Sequence, residues 1–368
     1  MDYIIPIITL LLIISGLIII GSATYDKGSP LLENSFLKKQ VLATALGILA
    51  IMLILFIDYR VLRDYVNIIY ISNILILVII LFLGKTVKGG QGWLRLGPVN
   101  FQPAETAKLA VIITLADVLA KERYNVKYIL GLIVPGIYIA IPFALVLLQN
   151  DLGSALVLLA IFVGMIYVAG ANANFLLGTF LGGLGSVVTW IWLHLKFGVF
   201  IPLKQYQLNR LLVLVNPQLD PLGAGYNVIQ SKIAIGSGGG LGKGLFGGTQ
   251  NQLNFLPERH TDFIFSVLGE ELGFLGAVII LIFYFILLCR GVKVAREAKD
   301  KFGELVVIGI LSMFTFHILE NVGMAIGIMP VTGIPLPFLS YGGSSLVTNL
   351  IAIGIIINVN IRRKKMLF

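Results

Sequence analysis

The chain opens MDYIIPIITLLLIISGLIII (residues 1–20). From Tyr3 this apolar run reaches the length of about 20 residues that a helix needs to cross a bilayer. No basic leader precedes it and the run is too long for a cleaved signal segment, so it is expected to be a first span. Further apolar runs follow at roughly 40–57, 64–84, 103–120, 128–147, 152–169, 174–195, 263–289, 304–328 and 342–361, ten in all. None shows the short alternating pattern of a membrane barrel. The 368 residues are 58% hydrophobic and 12% charged, against about 25% charged in a soluble domain. The expected fold is an all-α integral membrane protein. It is a polytopic bundle of about ten transmembrane helices in a single membrane domain, 1–368. A long extracytoplasmic loop, 196–262, joins spans 7 and 8.

The net charge of +9 does not point to nucleic acid. The basic residues fall largely at span ends, where they orient helices or meet anionic membrane lipid. With both termini in the cytoplasm, the short loops there hold Arg60 and Arg63; Lys121, Arg123 and Lys127; and Arg290, Lys293, Arg296, Lys299 and Lys301. The tail IRRKKMLF (361–368) adds four more. Segments 23–39, 85–102, 196–262 and 330–341 are then outside. The single Cys289 cannot form an internal disulfide and is expected to serve packing.

The loop from Lys196 to Asp262 is far longer than the 12–15 residues or so of an ordinary structureless connection. It keeps Tyr, Phe, Ile, Leu and Val throughout, so an ordered cap is expected. Within it LGAGYNVIQSKIAIG (222–236) reads as a short amphipathic helix. GSGGGLGKGLFGG (236–248) follows, with eight glycines in thirteen residues. A phosphate-binding loop would need Gly where Ser237 stands and Ser or Thr where Gly244 stands, so a nucleotide site is excluded. Two readings stay open: a flexible turn, or backbone amides that approach an anionic lipid headgroup together with Lys243.

Several polar groups sit in or beside spans. In GWLRLGPVNFQPAETAKLAV (92–111), Pro103 suits a first helical turn. Glu105 and Lys108 share a helix face as a structural or a functional pair. Trp93 is an interfacial anchor or a substrate contact. In QNDLGS (149–154), Asp151 is expected to N-cap a helix with Ser154. His317, Glu320 and Asn321 read as a buried hydrogen-bonded cluster rather than a metal site. GIMPVTGIPLPFLSYGGSS (327–345) breaks the helix, and irregular backbone at membrane level survives only when buried or lining a cavity. In NQLNFLPERHTDFIFSVLGEELGF (251–274), Asp262 stands at the lip of an apolar helix. It either caps that helix with Thr261 or serves as a general base, tuned by partial burial and by nearby Arg259 and His260.

Three long stretches in order carry a family resemblance. They are GWLRLGPVNFQPAETAKLA (92–110), NPQLDPLGAGYNVIQSKIAIGSGGGLGKGLFGGTQNQLNFLPERHTDF (216–263) and PVTGIPLPFLSYGGSS (330–345). With them the chain resembles the shape, elongation, division and sporulation (SEDS) glycosyltransferases of bacterial walls, and is most similar to their rod-shape branch. Asn150 and Gly92 depart from the family's usual proline and polar residue. The resemblance implies an enzyme that polymerises lipid II, the undecaprenyl-pyrophosphate-linked disaccharide peptide, at the outer face of the bacterial cytoplasmic membrane. It makes Asp262 the essential aspartate and matches Trp93, Glu105 and Lys108 to functional positions. It implies a class B penicillin-binding protein transpeptidase and other elongation-complex membrane proteins as partners.

A pyrophosphate leaving group asks for fixed positive charge. Arg210, Lys232, Lys243 and Arg259 are the loop's candidates, and a divalent metal such as Mg²⁺ could assist; no other cofactor is implied. A lipid flippase, a non-enzymatic scaffold and an ion transporter are the rival classes. Asp262→Asn separates the first two from an enzyme, and the last lacks evident inverted repeats.

Overall fold

The computed structural model describes residues 2–25, 34–87, 90–96, 99–121, 126–201 and 205–362. Arg123 and the basic tail beyond Arg362, both used above to orient the chain, lie outside the described residues. The helices are α1 (Ile4–Ala23), α2 (Ser35–Phe56), α3 (Val61–Asp64), α4 (Val66–Leu83), α5 (Pro103–Ala120), α6 (Ile129–Leu148) and α7 (Leu152–Val168). They continue as α8 (Ala173–Phe197), α9 (Gln205–Val215), α10 (Ala224–Gly238), α11 (Thr249–Gln252), α12 (Ile264–Arg296), α13 (Lys301–Ile326) and α14 (Gly343–Arg362). Eight of them, α1, α2, α4, α6, α8, α12, α13 and α14, are long and apolar enough to cross a membrane. The other two expected runs form α7, which is apolar and 17 residues long, and α5, whose 18 residues include Glu105, Lys108 and Asp117.

Burial explains why α5 carries those charges. It is buried along nearly its whole length from Pro103 to Leu119, so Glu105, Lys108 and Asp117 face protein, where a partner can satisfy each of them. α13 and α14 are also largely buried, whereas none of α8 is. The bundle is therefore built around α5, α13 and α14, which touch one another. Cys289 is exposed on the flank of α12, so it does not pack in the core as expected.

One departure from the all-helical expectation is a small antiparallel sheet of β1 (Lys85–Val87), β2 (Gly90–Leu96) and β3 (Val99–Phe101), paired in that order. Leu94 stands opposite Phe101. The sheet delivers Trp93 to the bundle end where α5 begins.

The long loop is an ordered cap. α9, a 3₁₀ turn at Pro217–Leu219, α10 and α11 fill it, and α10 packs against α12 and α13. The glycine run has a specific task there. α12 is broken at Gly273 (φ 66°, ψ −166°), which strips backbone groups on either side of their helical partners. The run supplies replacements. The amides of Lys243 and Gly244 donate to the carbonyls of Glu270 and Glu271, 3.0 Å each, and those of Phe274 and Leu275 donate to Gly239 and Gly240, 2.9 and 3.1 Å. A Cβ on Gly242 (φ 80°) would stand 2.2 Å from the Glu271 carbonyl oxygen. The glycines are there because two backbones meet at van der Waals distance. The run is an ordered turn, and the amides of Lys243 and Gly244 are spent on the break in α12.

Candidate active site

Asp262 lies in the turn that feeds α12. The Glu258 carbonyl, held with φ at 51°, accepts from the amides of Thr261 and Asp262 at 3.1 Å and Phe263 at 3.3 Å. The N-cap of α12 is Phe263, with no side-chain cap. Thr261 turns its hydroxyl back to the Glu258 carbonyl (3.2 Å) and carboxylate (3.1 Å). Neither Asp262 nor Thr261 therefore stands at the N-cap position itself.

Three consecutive carbonyls of the turn are gripped from the broken backbone after α13 and from α13 itself. The Tyr341 amide donates to His260 O at 2.8 Å, the Ser340 hydroxyl to Thr261 O at 2.7 Å, and Asn321 Nδ2 to Asp262 O at 2.8 Å. Asn321 Nδ2 also donates to Ile334 O at 2.8 Å, so one buried amide ties the base-bearing turn to the 330s segment. Gln40 on α2 completes the clamp, donating to Ser340 O (3.1 Å) and accepting from the Gly342 amide (3.2 Å). A catalytic group needs this kind of second layer to hold its geometry.

The Asp262 side chain enters a cavity of about 230 Å³ at the end of the bundle. Trp93 from β2, Asp151 from the start of α7, Arg210 from α9, and Thr332 with Gly333 share its lining. Gly333 (φ 78°) presents bare backbone to Asp262, since a Cβ there would stand 3.2 Å from Oδ2. Arg210 Nη1 donates to Thr332 O at 3.4 Å, bringing α9 over the cavity. Asp151 N-caps α7 as expected, accepting from the Ser154 amide (2.9 Å) and hydroxyl (2.8 Å). It also accepts from Gln102 Nε2 at 2.9 Å. The cap residue is thus a cavity wall as well.

The remaining sequence candidates lie elsewhere. Glu105 and Lys108 form the expected pair, 2.7 Å apart and almost fully buried. Lys108 Nζ is also 3.3 Å from His317 Nε2 on α13, so the trio binds α5 to α13, off the cavity lining. Lys243 Nζ is held by Glu270 Oε1 at 2.7 Å and Thr249 Oγ1 at 2.8 Å. The same carboxylate collects the Gln250 amide at 3.0 Å and the Asn251 amide at 3.3 Å. Lys243 and two amides just beyond the glycine run thus hold the chain's own Glu270. Arg259 Nε donates to Ala23 O at the end of α1, 2.7 Å, and Nη1 donates to Asn254. Burial lowers its pKa from the ordinary arginine value. Lys232, exposed on α10, lies against Gly327. Of the four loop cations proposed for the pyrophosphate, Arg210 alone lines the cavity.

Gln102, Gln149, Thr332, Ser344 and Ser345 also line it and were not singled out as site residues. Thr332, Ser344 and Ser345 fall in the irregular stretch whose composition pointed to a polar cavity. Gln102 sits beside the helix-starting Pro103. Nothing in the sequence around Gln149 marked it.

Fold and site together define a helical membrane protein whose broken helices and ordered cap enclose a polar, carboxylate-bearing cavity. The chain belongs to the FtsW/RodA/SpoVE family, whose model, described as "Cell cycle protein", matches residues 2–365. It is 38% identical to stage V sporulation protein E of Bacillus subtilis (strain 168), covering 98% of this chain and 96% of that one. It is also 38% identical to peptidoglycan glycosyltransferase MrdB of Escherichia coli (strain K12), covering 97% and 92%. Among solved structures it resembles a chain of a peptidoglycan synthase complex that coordinates polymerization and crosslinking, with TM-score 0.82 and 34% identity over 99% of this chain and 98% of that one. The rod shape determining protein RodA of Thermus thermophilus gives TM-score 0.73 and 30% identity over 99% and 98%.

Proposed function

We propose that this chain is a peptidoglycan glycosyltransferase that polymerises lipid II at the outer face of a bacterial cytoplasmic membrane, in the elongation and rod-shape role of its family. The observation that carries the proposal is the clamped Asp262, set into a cavity with one arginine and one tryptophan. In an inverting transfer the acceptor's N-acetylglucosamine 4-hydroxyl attacks the anomeric carbon of the donor's N-acetylmuramic acid. Asp262 takes the hydroxyl proton as the new C–O bond forms. The bond to the undecaprenyl pyrophosphate breaks, and that group leaves with the electron pair. A positioned base of this kind contributes about 10²–10⁴-fold. Arg210 faces the charge that develops on the pyrophosphate.

A divalent cation fits this lining in a limited way. Among the described residues no three His, Cys, Asp or Glu side chains converge as a metal set. Mg²⁺, however, commonly takes one or two carboxylates plus substrate phosphates, and Asp262 and Asp151 both line the cavity. When bound it would neutralise the leaving pyrophosphate.

The orientation rests on charge. Arg60, Arg63, Lys121, Lys127, Arg290, Lys293, Arg296, Lys299 and Arg362 lie at helix ends opposite the Asp262 cavity, as cytoplasmic residues do. A class B penicillin-binding protein transpeptidase is the proposed partner, and the likeness to a chain of a synthase complex supports it. Other elongation-complex proteins are proposed from the family alone.

The test is glycan synthesis from labelled lipid II by purified protein with its transpeptidase partner. Asp262→Asn is expected to lose polymer while keeping its fold and partner binding. Equal polymer from both proteins removes Asp262 from the chemistry. No polymer from wild type, with lipid transport intact, favours a flippase.

A further inference from the structure

Gln149, the residue after α6, lines the Asp262 cavity and is fully buried. Its Nε2 donates to the Leu77 carbonyl of α4 at 3.1 Å. That contact settles which way the amide points, because only the nitrogen can face a carbonyl oxygen. Oε1 is thereby turned away from α4, and it has no protein partner. Gly92, the neighbour of Trp93 in the cavity wall, is the glycine beside it, and a Cβ there would stand 3.9 Å from Oε1. Position 92 has no side chain and so supplies no side-chain donor to it. A buried acceptor left open at the wall of a substrate cavity is costly unless a bound group completes it.

Two properties of the cavity narrow what that group is. Its volume of about 230 Å³, close to the ~300 Å³ lower end of ligand pockets, admits a sugar ring beside Asp262. Asp262 occupies the same space, so that ring is the one whose hydroxyl gives up its proton. An N-acetylhexosamine carries one group that only donates, its acetamido N–H, next to an acetyl methyl that calls for apolar surface. Gln149 Oε1 only accepts, and the Trp93 indole lies in the same wall.

We propose that Gln149 is a specificity-determining residue of the acceptor subsite, its Oε1 accepting the acetamido N–H of the N-acetylhexosamine whose hydroxyl meets Asp262, with Trp93 against the acetyl group. This rests on the glycosyltransferase reading given above. It assigns the recognition of the acceptor to α6 and β2, elements that play no part in holding the base.

The test is a single coupling, using a donor lipid II whose own 4-hydroxyl is blocked so that it cannot act as acceptor. Two acceptors are compared: normal lipid II, and lipid II methylated on the acetamido nitrogen of its N-acetylglucosamine. Wild type is expected to show a KM for the methylated acceptor about tenfold higher, the scale of one neutral hydrogen bond to a buried group, with kcat within about threefold. Gln149→Ala is expected to show the raised KM for both acceptors and no discrimination between them. Equal KM values for the two acceptors in wild type overturn the proposal, and so does undiminished discrimination by Gln149→Ala; an ordered water at Oε1 would produce either result. If Gln149→Ala does not fold, the wild-type comparison decides alone. No coupling by wild type with the normal acceptor instead overturns the glycosyltransferase reading, and the subsite with it.

Discussion

Two regions of the long cap contain a cation and a carboxylate from different parts of the chain, and they do opposite things with them. At the glycine seam, Lys243 closes on Glu270 at 2.7 Å and the amides of Gln250 and Asn251 crowd the same carboxylate. At the cavity, Arg210 and Asp262 both line the wall, and the turn that carries Asp262 is held by bonds to its backbone carbonyls. A charge that has found its partner inside the fold stabilises it and has little left to offer a ligand. A charge whose backbone is clamped while its side chain faces a cavity is ready for substrate. The two regions differ in where the charged groups sit, one pair in the seam between two backbones and the other on the wall of a cavity.

That contrast is most sharply tested at Asp262. Asp262→Asn keeps the side chain's size, and the clamp on its carbonyl is untouched. Polymerisation should fall by about 10²–10⁴-fold with an unchanged melting temperature. Arg210→Ala should lower turnover by about 10²–10³-fold, the scale of one lost donor at developing charge, again with the fold intact. Lys243→Ala measured beside it should leave turnover close to wild type. If Lys243→Ala proves as damaging as Arg210→Ala, the division between the two regions fails.

The seam should respond in stability instead. Glu270→Ala leaves the Gln250 and Asn251 amides without their acceptor, and should cost about 3 kcal/mol, read as a lower melting temperature of the detergent-solubilised protein. Activity per folded molecule should remain. Gly242→Ala should cost less, about 2 kcal/mol, from a side chain forced into a left-handed backbone against the Glu271 carbonyl. It should be seen in the same melting assay.

Much of this was legible in one dimension. Apolar run length located most ends of the long helices to within a few residues, with the largest offset at the end of α12, which runs to Arg296, because crossing a bilayer sets a minimum length and leaves little room for polar interruption. Asp151 announced itself as a cap, since Ser154 follows at capping distance. Asp262 stood out as an ionisable residue at the lip of an apolar helix. The sheet around Trp93 was hidden, because strands of three, seven and three residues are too short to show the alternation that marks a longer strand.

The four loop cations show where sequence stopped. Arg210, Lys232, Lys243 and Arg259 were equivalent on paper. What separated them were contacts far along the chain, Lys243 with a glutamate 27 residues on and Arg259 with a carbonyl 236 residues back. Gln149 was equally silent, since an amide becomes informative only when one of its two ends is committed and the other is not.

The sequence by itself determined the membrane class, the approximate positions of the long helices, the family and the aspartate worth testing. These follow from local length, hydropathy and motif, and none needs to know what folds against what. The tertiary structure decided which cation reaches the cavity, why the glycines are required, and which buried oxygen is left open. Each of those depends on whether another part of the chain lies within hydrogen-bonding distance.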